Sequence, residues 1–103
     1  MKEIKAIVRP ERLHAVLSAL NEIGEVPSVV VSDCRAMRDW ADEGIETPKA
    51  KVEVMVSDSL AESVVAVIQA AAHTGNVGDG RIVVIPIEQT VLIRTGERGE
   101  AVR

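Results

Sequence analysis

The 103-residue sequence predicts an α+β sandwich in which two helices cover a sheet, with its elements in the order βαββαβ. Three observations carry that expectation. Short stretches alternate apolar and charged residues with a period of two, and two longer stretches repeat apolar residues at helical spacing. The apolar inventory is mostly Val, Ile, Leu and Ala, with one Trp and no Tyr or Phe, so the core leans on β-branched residues that suit strands. A chain this long builds one modest core, and residues 1–103 read as a single domain.

The elements follow in order. "KEIKAIVR" places Ile4, Ala6 and Val8 on one face and forms the first strand. Pro10 stops it and suits a helix start. The helix over "PERLHAVLSALNEIG" carries Leu13, Val16, Leu17 and Leu20 at helical spacing and ends at Gly24. "VPSVVVSDCRA" is the second strand, and its Val29–Val31 run suggests burial. A polar, acidic loop with Gly44 and Pro48 leads to "KAKVEVMVS", where Ala50, Val52 and Val54 alternate against Lys49, Lys51 and Glu53. Ser59 and Glu62 have capping-box spacing, ahead of a second helix with Leu60, Val64, Val67, Ile68 and Ala71 on its apolar stripe. The fourth strand covers "RIVVIPIEQTVLIR", with an interruption near Pro86, and a charged tail follows. This order is the split βαβ pattern of a ferredoxin-like domain. Helices cover one sheet face only, yet strands two and four carry long apolar runs, so the open face predicts self-association.

Composition excludes several function classes. A net charge of −4 and a pI near 5.1 argue against binding a nucleic-acid backbone, and one Trp gives no stacking platform. The single cysteine, Cys34, permits neither an intrachain disulfide nor a cysteine-based metal cluster; it reads as a small apolar side chain. His14 on the first helix and His73 at the end of the second have no ligand-spaced neighbours, so no metal site is expected. No apolar run approaches the roughly 20 residues that cross a bilayer, and the N-terminus lacks a signal-peptide h-region. A cytoplasmic protein without membrane insertion is the expectation.

The chemistry concentrates in "TGNVGDGR", residues 74–81. Gly75, Gly78 and Gly80 permit positive φ, which lets successive backbone N–H groups converge on an anion. Arg81 adds a guanidinium suited to phosphate, and Asp79 either orients the loop or accepts from a ligand hydroxyl. The residues alone leave a second reading open: a plain helix-to-strand connection, with Gly75 as C-cap and Asp79-Gly80 as a tight turn. The spacing matches neither a P-loop nor a dinucleotide fingerprint. Catalysis is not expected. An acylphosphatase-type site needs a phosphate cradle after the first strand, and "VRPER" supplies a proline there, while no Ser-His-Asp or Cys-His set is evident.

Three stretches, "MKEIKAIVRPERLHAVLSALNEIG", "PKAKVEVMVSD" and "AAAHTGNVGDGRIVVIPIEQTVLIRTGERGE", resemble the PII signal-transduction family across nearly the whole chain. The "TG..GDG" loop with its following basic residue is similar to the family's nucleotide-binding B-loop, residues 74–81, and "IRTGE.GE" to its C-terminal signature. The resemblance implies a homotrimer with adenine nucleotide (ADP, AMP or ATP) in clefts between subunits. It places Ile7, Lys49, Met55, Gly78, Asp79, Gly80, Arg81 and Arg94 at the nucleotide. It also implies a regulated partner such as a membrane transporter or an enzyme. Residues 38–48 match a shortened T-loop, with Arg38, Trp40 and Thr47 as candidate partner contacts, and residues 95–103 form the tail. Trp40 is either an interface anchor or a side chain packed over its own loop.

Departures redirect the implied function. "AMRDW" replaces the family's Gly-Phe-Gly-Arg-Gln-like segment, which removes the basis for Mg²⁺ and 2-oxoglutarate. The shortened loop resembles that of PII-like variants, some of which respond to ligands such as bicarbonate, and the resemblance therefore favours bicarbonate over 2-oxoglutarate as a second effector. Leu92 replaces one of two arginines, leaving Arg94. The chain has no tyrosine to modify. The competing expectation is a trimeric interaction module that has lost nucleotide sensing.

Overall fold

The computed structural model describes residues 1–26, 28–37 and 46–99. Strands β1 (Lys2–Val8), β2 (Val29–Ala36), β3 (Thr47–Val56) and β4 (Arg81–Pro86) form one antiparallel sheet in the order β2-β3-β1-β4. Helices α1 (Leu13–Ile23) and α2 (Asp58–Ala72) cover one face, and a 3₁₀ turn at Pro10–Arg12 leads into α1. This is the expected ferredoxin-type α+β architecture.

Each element forms for a local reason. Alternation in β1 buries Ile4, Ala6 and Val8 beneath the helices, opposite Val54, Val52 and Ala50 of β3. Arg9 is extended, as a residue before proline must be, and the chain turns there into α1. Gly24 ends α1 in the left-handed conformation with φ 78°. Val16 and Leu20 of α1 and Val64 and Ile68 of α2 complete an all-aliphatic core. Each large side chain buried there contributes roughly 2 kcal/mol.

Several expectations need correction. The Ser59–Glu62 capping box does not form, because α2 begins two residues earlier, at Asp58. Ser57 is the N-cap, makes no side-chain cap bond, and its hydroxyl lies 3.1 Å from that of Ser59. The fourth strand stops at Pro86, whose ring removes a ladder donor. The segment beyond it turns back on itself. Val91 bridges Arg98, Leu92 N–H donates to Glu97 O (2.8 Å), and Gly99 N–H donates to Thr90 O (3.1 Å). The first residues of the expected tail therefore belong to a small hairpin, while residues 100–103 lie outside the described ones. Cys34 is half-buried on the open face rather than in the core.

The open face is not the apolar sheet the runs suggested. Strand register interleaves Glu3, Lys5, Lys51 and Glu53 with Val30, Met55, Val83 and Ile85. Lys5 stands opposite Glu53, a favourable cross-strand charge pair. The valine runs mislead because every second valine turns toward the helices: Val29 and Val31 share the face of Val54 and Val52.

Candidate functional site

The glycine-rich loop between α2 and β4 is held shut by one carboxylate. Asp79 accepts the backbone N–H groups of Thr74 (2.8 Å) and Gly75 (2.9 Å), the Thr74 hydroxyl, and the Arg9 Nε–H (2.9 Å). Arg9 also donates from Nη2 to Val77 O at 2.9 Å. Three residues on, Arg12 donates from Nε and Nη2 to Ala71 O, at 2.9 and 2.6 Å, and so caps the last turn of α2. From the far side, the buried Lys49 ammonium donates to Gly78 O.

Glycine is required here on geometric grounds. Gly75, Gly78 and Gly80 adopt φ of 91°, 102° and 99°. Gly80 also passes against β1 so closely that an added Cβ would lie 2.9 Å from the Ile7 carbonyl carbon and closer still to its oxygen. The N–H groups of residues 74–76 are already engaged, by Asp79 and by the Thr74 hydroxyl. Among the described residues, the Gly78 N–H donates no such bond, while the Asp79 N–H closes the turn at Val77 and Gly78. The part of the loop that can meet a ligand is therefore its second half, beside Arg81. No ion pair among the described residues engages Arg81, which stands exposed at the start of β4.

Two clefts open against this half of the loop. One, of about 460 Å³, is lined by Ile7, Ala36, Met37, Lys49 and residues 76–81. The other, of about 360 Å³, lies on the α2 flank beside Gln69 and His73 and shares Ile7, Asp79, Gly80 and Arg81. The candidates Ile7, Lys49, Gly78, Asp79, Gly80 and Arg81 are thus brought together around one cleft. Met55 is not among them. It pairs with Glu3, four residues along β1 from Ile7 and so about 13 Å away at the strand rise. Arg94 lies in the turn of the C-terminal hairpin. That hairpin adjoins the Met1 end of the sheet, where Thr90 Oγ1 is 3.9 Å from Met1 Sδ, and β4 enters from the opposite end.

Thr47 pairs with Ala36 at the base of the 38–48 loop, and its hydroxyl oxygen is buried without a partner among the described residues. An Arg35–Glu46 ion pair closes the same base. Arg38 and Trp40 lie outside the described residues. Sequence reasoning missed Arg9 and Arg12. Their only signal was two arginines bracketing Pro10-Glu11, which says nothing of partners some 60 to 70 positions away. Among the described residues no group of three or more His, Cys, Asp or Glu is placed to hold a metal, and no helix is long and apolar enough to cross a membrane.

The loop's bonds fix the charge of Asp79. The Thr74 hydroxyl, then the Arg9 guanidinium, then the Thr74 N–H all favour the carboxylate and hold its pKa well below the usual range. Because the folded value is depressed, the clasp's contribution is complete above the unfolded value of about 4 and fades only as pH falls through the lower folded one. The Thr74 and Gly75 amide resonances should therefore stay constant from about pH 7 to about pH 4. A midpoint near 4 at those two amides would show the clasp to be open in solution.

Comparison with known proteins gives the family. The family model described as Nitrogen regulatory protein P-II matches residues 1–97. The chain is similar to the Nitrogen regulatory protein P-II of Azospirillum brasilense, with 40% identity over 109 residues and 96% of each chain covered. It is similar also to Nitrogen regulatory protein GlnK2 of Haloferax mediterranei, with 38% identity, covering 96% of this chain and 88% of the relative. In structure it matches Arabidopsis thaliana PII bound to citrate, with a TM-score of 0.87 and 40% identity over 99% of this chain and 91% of that one. With the family model matched over nearly its whole length and close relatives covered almost end to end, this chain belongs to the nitrogen regulatory protein P-II family, a family of signalling regulators.

Proposed function

We propose that this chain is a cytoplasmic, non-catalytic sensor. It binds adenine nucleotide in clefts between the subunits of a homotrimer and passes its occupancy to the 38–48 loop, which meets a regulated partner such as a transporter or an enzyme. One observation carries the reading. Gly78 offers its backbone N–H beside Arg81, while Arg9 and Lys49 hold the loop in the shape that brings the two together at the cleft. A multivalent anion suits such a cradle, and the Arabidopsis relative is one bound to citrate.

The same geometry supports assembly with neighbouring copies, which the reading takes to be a homotrimer. Met55 and Arg94 lie away from the Gly78–Arg81 cleft within one chain, so a neighbouring copy must supply them if they meet the ligand. The open sheet face, with Val30, Met55 and Val83 exposed, and the fully exposed Ile93 of the hairpin favour such contacts. Ala36 and Met37 line the cleft where the family pattern has glycine and phenylalanine. Mg²⁺ is therefore left out of the proposal, and bicarbonate is favoured over 2-oxoglutarate as a second effector. Nucleotide acts by binding two loop arrangements with different affinity.

Calorimetric titration with ATP, ADP and AMP, with and without bicarbonate or 2-oxoglutarate, tests the reading. Saturable binding tighter than about 1 mM (roughly 4 kcal/mol) is expected for at least one nucleotide. Silence toward all three would leave a trimeric interaction module without nucleotide sensing.

A further inference from the structure

An aspartate in the middle of a phosphate cradle is electrostatically out of place. Asp79 sits between the two glycines whose backbone the anion would approach, and a bare carboxylate there would repel each phosphate charge. The structure meets this with Arg9. Its guanidinium lies 2.9 Å from Asp79 Oδ1, with both side chains mostly shielded, at 21% and 24% exposed. Partial shielding strengthens the attraction relative to open water. Pro10 holds Arg9 extended at the end of β1, so this arginine reaches the loop from a rigid strand end. Its second contact, to Val77 O, ties down the turn just before Gly78.

We propose that Arg9 is a positioning residue for anion binding: it cancels the charge of Asp79 and fixes the turn, so that Arg81, with the Lys49 ammonium across the cleft, gives the cradle its net positive charge. The inference rests on the nucleotide reading above and deepens it. Arg9 has no part in holding the ligand directly. Asp79 is kept for the loop closure its carboxylate provides, through Thr74 and Gly75, and Arg9 is what makes that closure compatible with a phosphate ligand. Arg12 is separate from this role, since its partner is the end of α2.

The test is calorimetry with ATP, ADP and AMP on the wild type, Arg9→Gln, Arg9→Lys, Asp79→Asn, and both arginine variants combined with Asp79→Asn, each checked for folding by circular dichroism. Arg9→Gln should weaken ATP about tenfold, ADP less, and AMP about twofold, because the uncompensated carboxylate acts on each phosphate charge. Adding Asp79→Asn should restore part of the ATP affinity lost in Arg9→Gln, and Arg9→Lys should bind closest to wild type. Should Arg9→Gln not fold, Arg9→Met, which keeps the apolar stem and removes the charge, gives the same comparison with and without Asp79→Asn. An equal loss for all three nucleotides, or a double variant weaker than Arg9→Gln, would reduce Arg9 to a purely structural residue and overturn the proposal. Wild type that binds none of the three overturns the nucleotide reading and this inference together. Wild type that binds while Arg9→Gln binds equally well overturns only the inference.

Discussion

Gly80→Ala should unfold or severely destabilise the domain whether or not any ligand is present. The added methyl would lie 2.9 Å from the Ile7 carbonyl carbon and nearer its oxygen, both in the backbone of a strand paired on either side. Neither partner can step aside without breaking the β1–β4 register. A positive φ of 99° adds conformational strain for any residue with a Cβ. Together these should cost about 3 kcal/mol or more, which lowers the melting temperature by roughly 15 °C in a domain this small. Gly96→Ala is the control. It shares the positive φ, at 77°, but its Cβ would meet nothing within 4 Å, so it should cost about 1 kcal/mol. Thermal denaturation by circular dichroism reads both. Equal melting temperatures for the two variants would show that Gly80 does not approach β1 as described.

That contrast bears on what a glycine-rich motif means. The sequence spaces Gly75, Gly78 and Gly80 so that an anion nest and a plain turn look alike, since both need positive φ. The structure separates the residues by what surrounds them. Gly80 answers to the fold, through its approach to Ile7. Gly75 turns its N–H inward to Asp79, while Gly78 lines the cleft and its N–H makes none of the loop's bonds. Motif reading therefore located the loop but could not divide it, because the division depends on β1 and on Arg9, far away in sequence. The fold was more legible. Alternation in β1 and β3 and the apolar stripes of α1 and α2 each reflect one buried face, and one buried face leaves a periodic trace. The open sheet face left a misleading trace, because the Val29–Val31 run spans both sides of β2. The C-terminal hairpin left none, being held by backbone bonds and by the Thr90 and Arg98 side chains rather than by apolar period.

Arg81→Ala should remove most of the nucleotide affinity while leaving the fold intact. The arginine is exposed at the first position of β4, opposite Ile7, and no ion pair among the described residues depends on it. Its loss should therefore leave the melting temperature within about 2 °C of wild type, as for surface substitutions generally. The effect on binding is larger because the other cations beside the loop are committed to it: Arg9 to Asp79 and Val77 O, Lys49 to Gly78 O. Removing a charge-assisted bond to phosphate costs about 1.5–3 kcal/mol, which corresponds to a roughly 10- to 100-fold weaker Kd. Arg94→Ala should cost about threefold, since Arg94 lies on an exposed turn and can act only from a neighbouring copy. Calorimetry at two salt concentrations sharpens the comparison. Screening weakens exposed charge contacts, so wild-type affinity should fall with salt and Arg81→Ala should show a shallower dependence. If Arg81→Ala and Arg94→Ala both bind as wild type does, the phosphates do not sit at residues 78–81. The loop would then serve only to join α2 to β4.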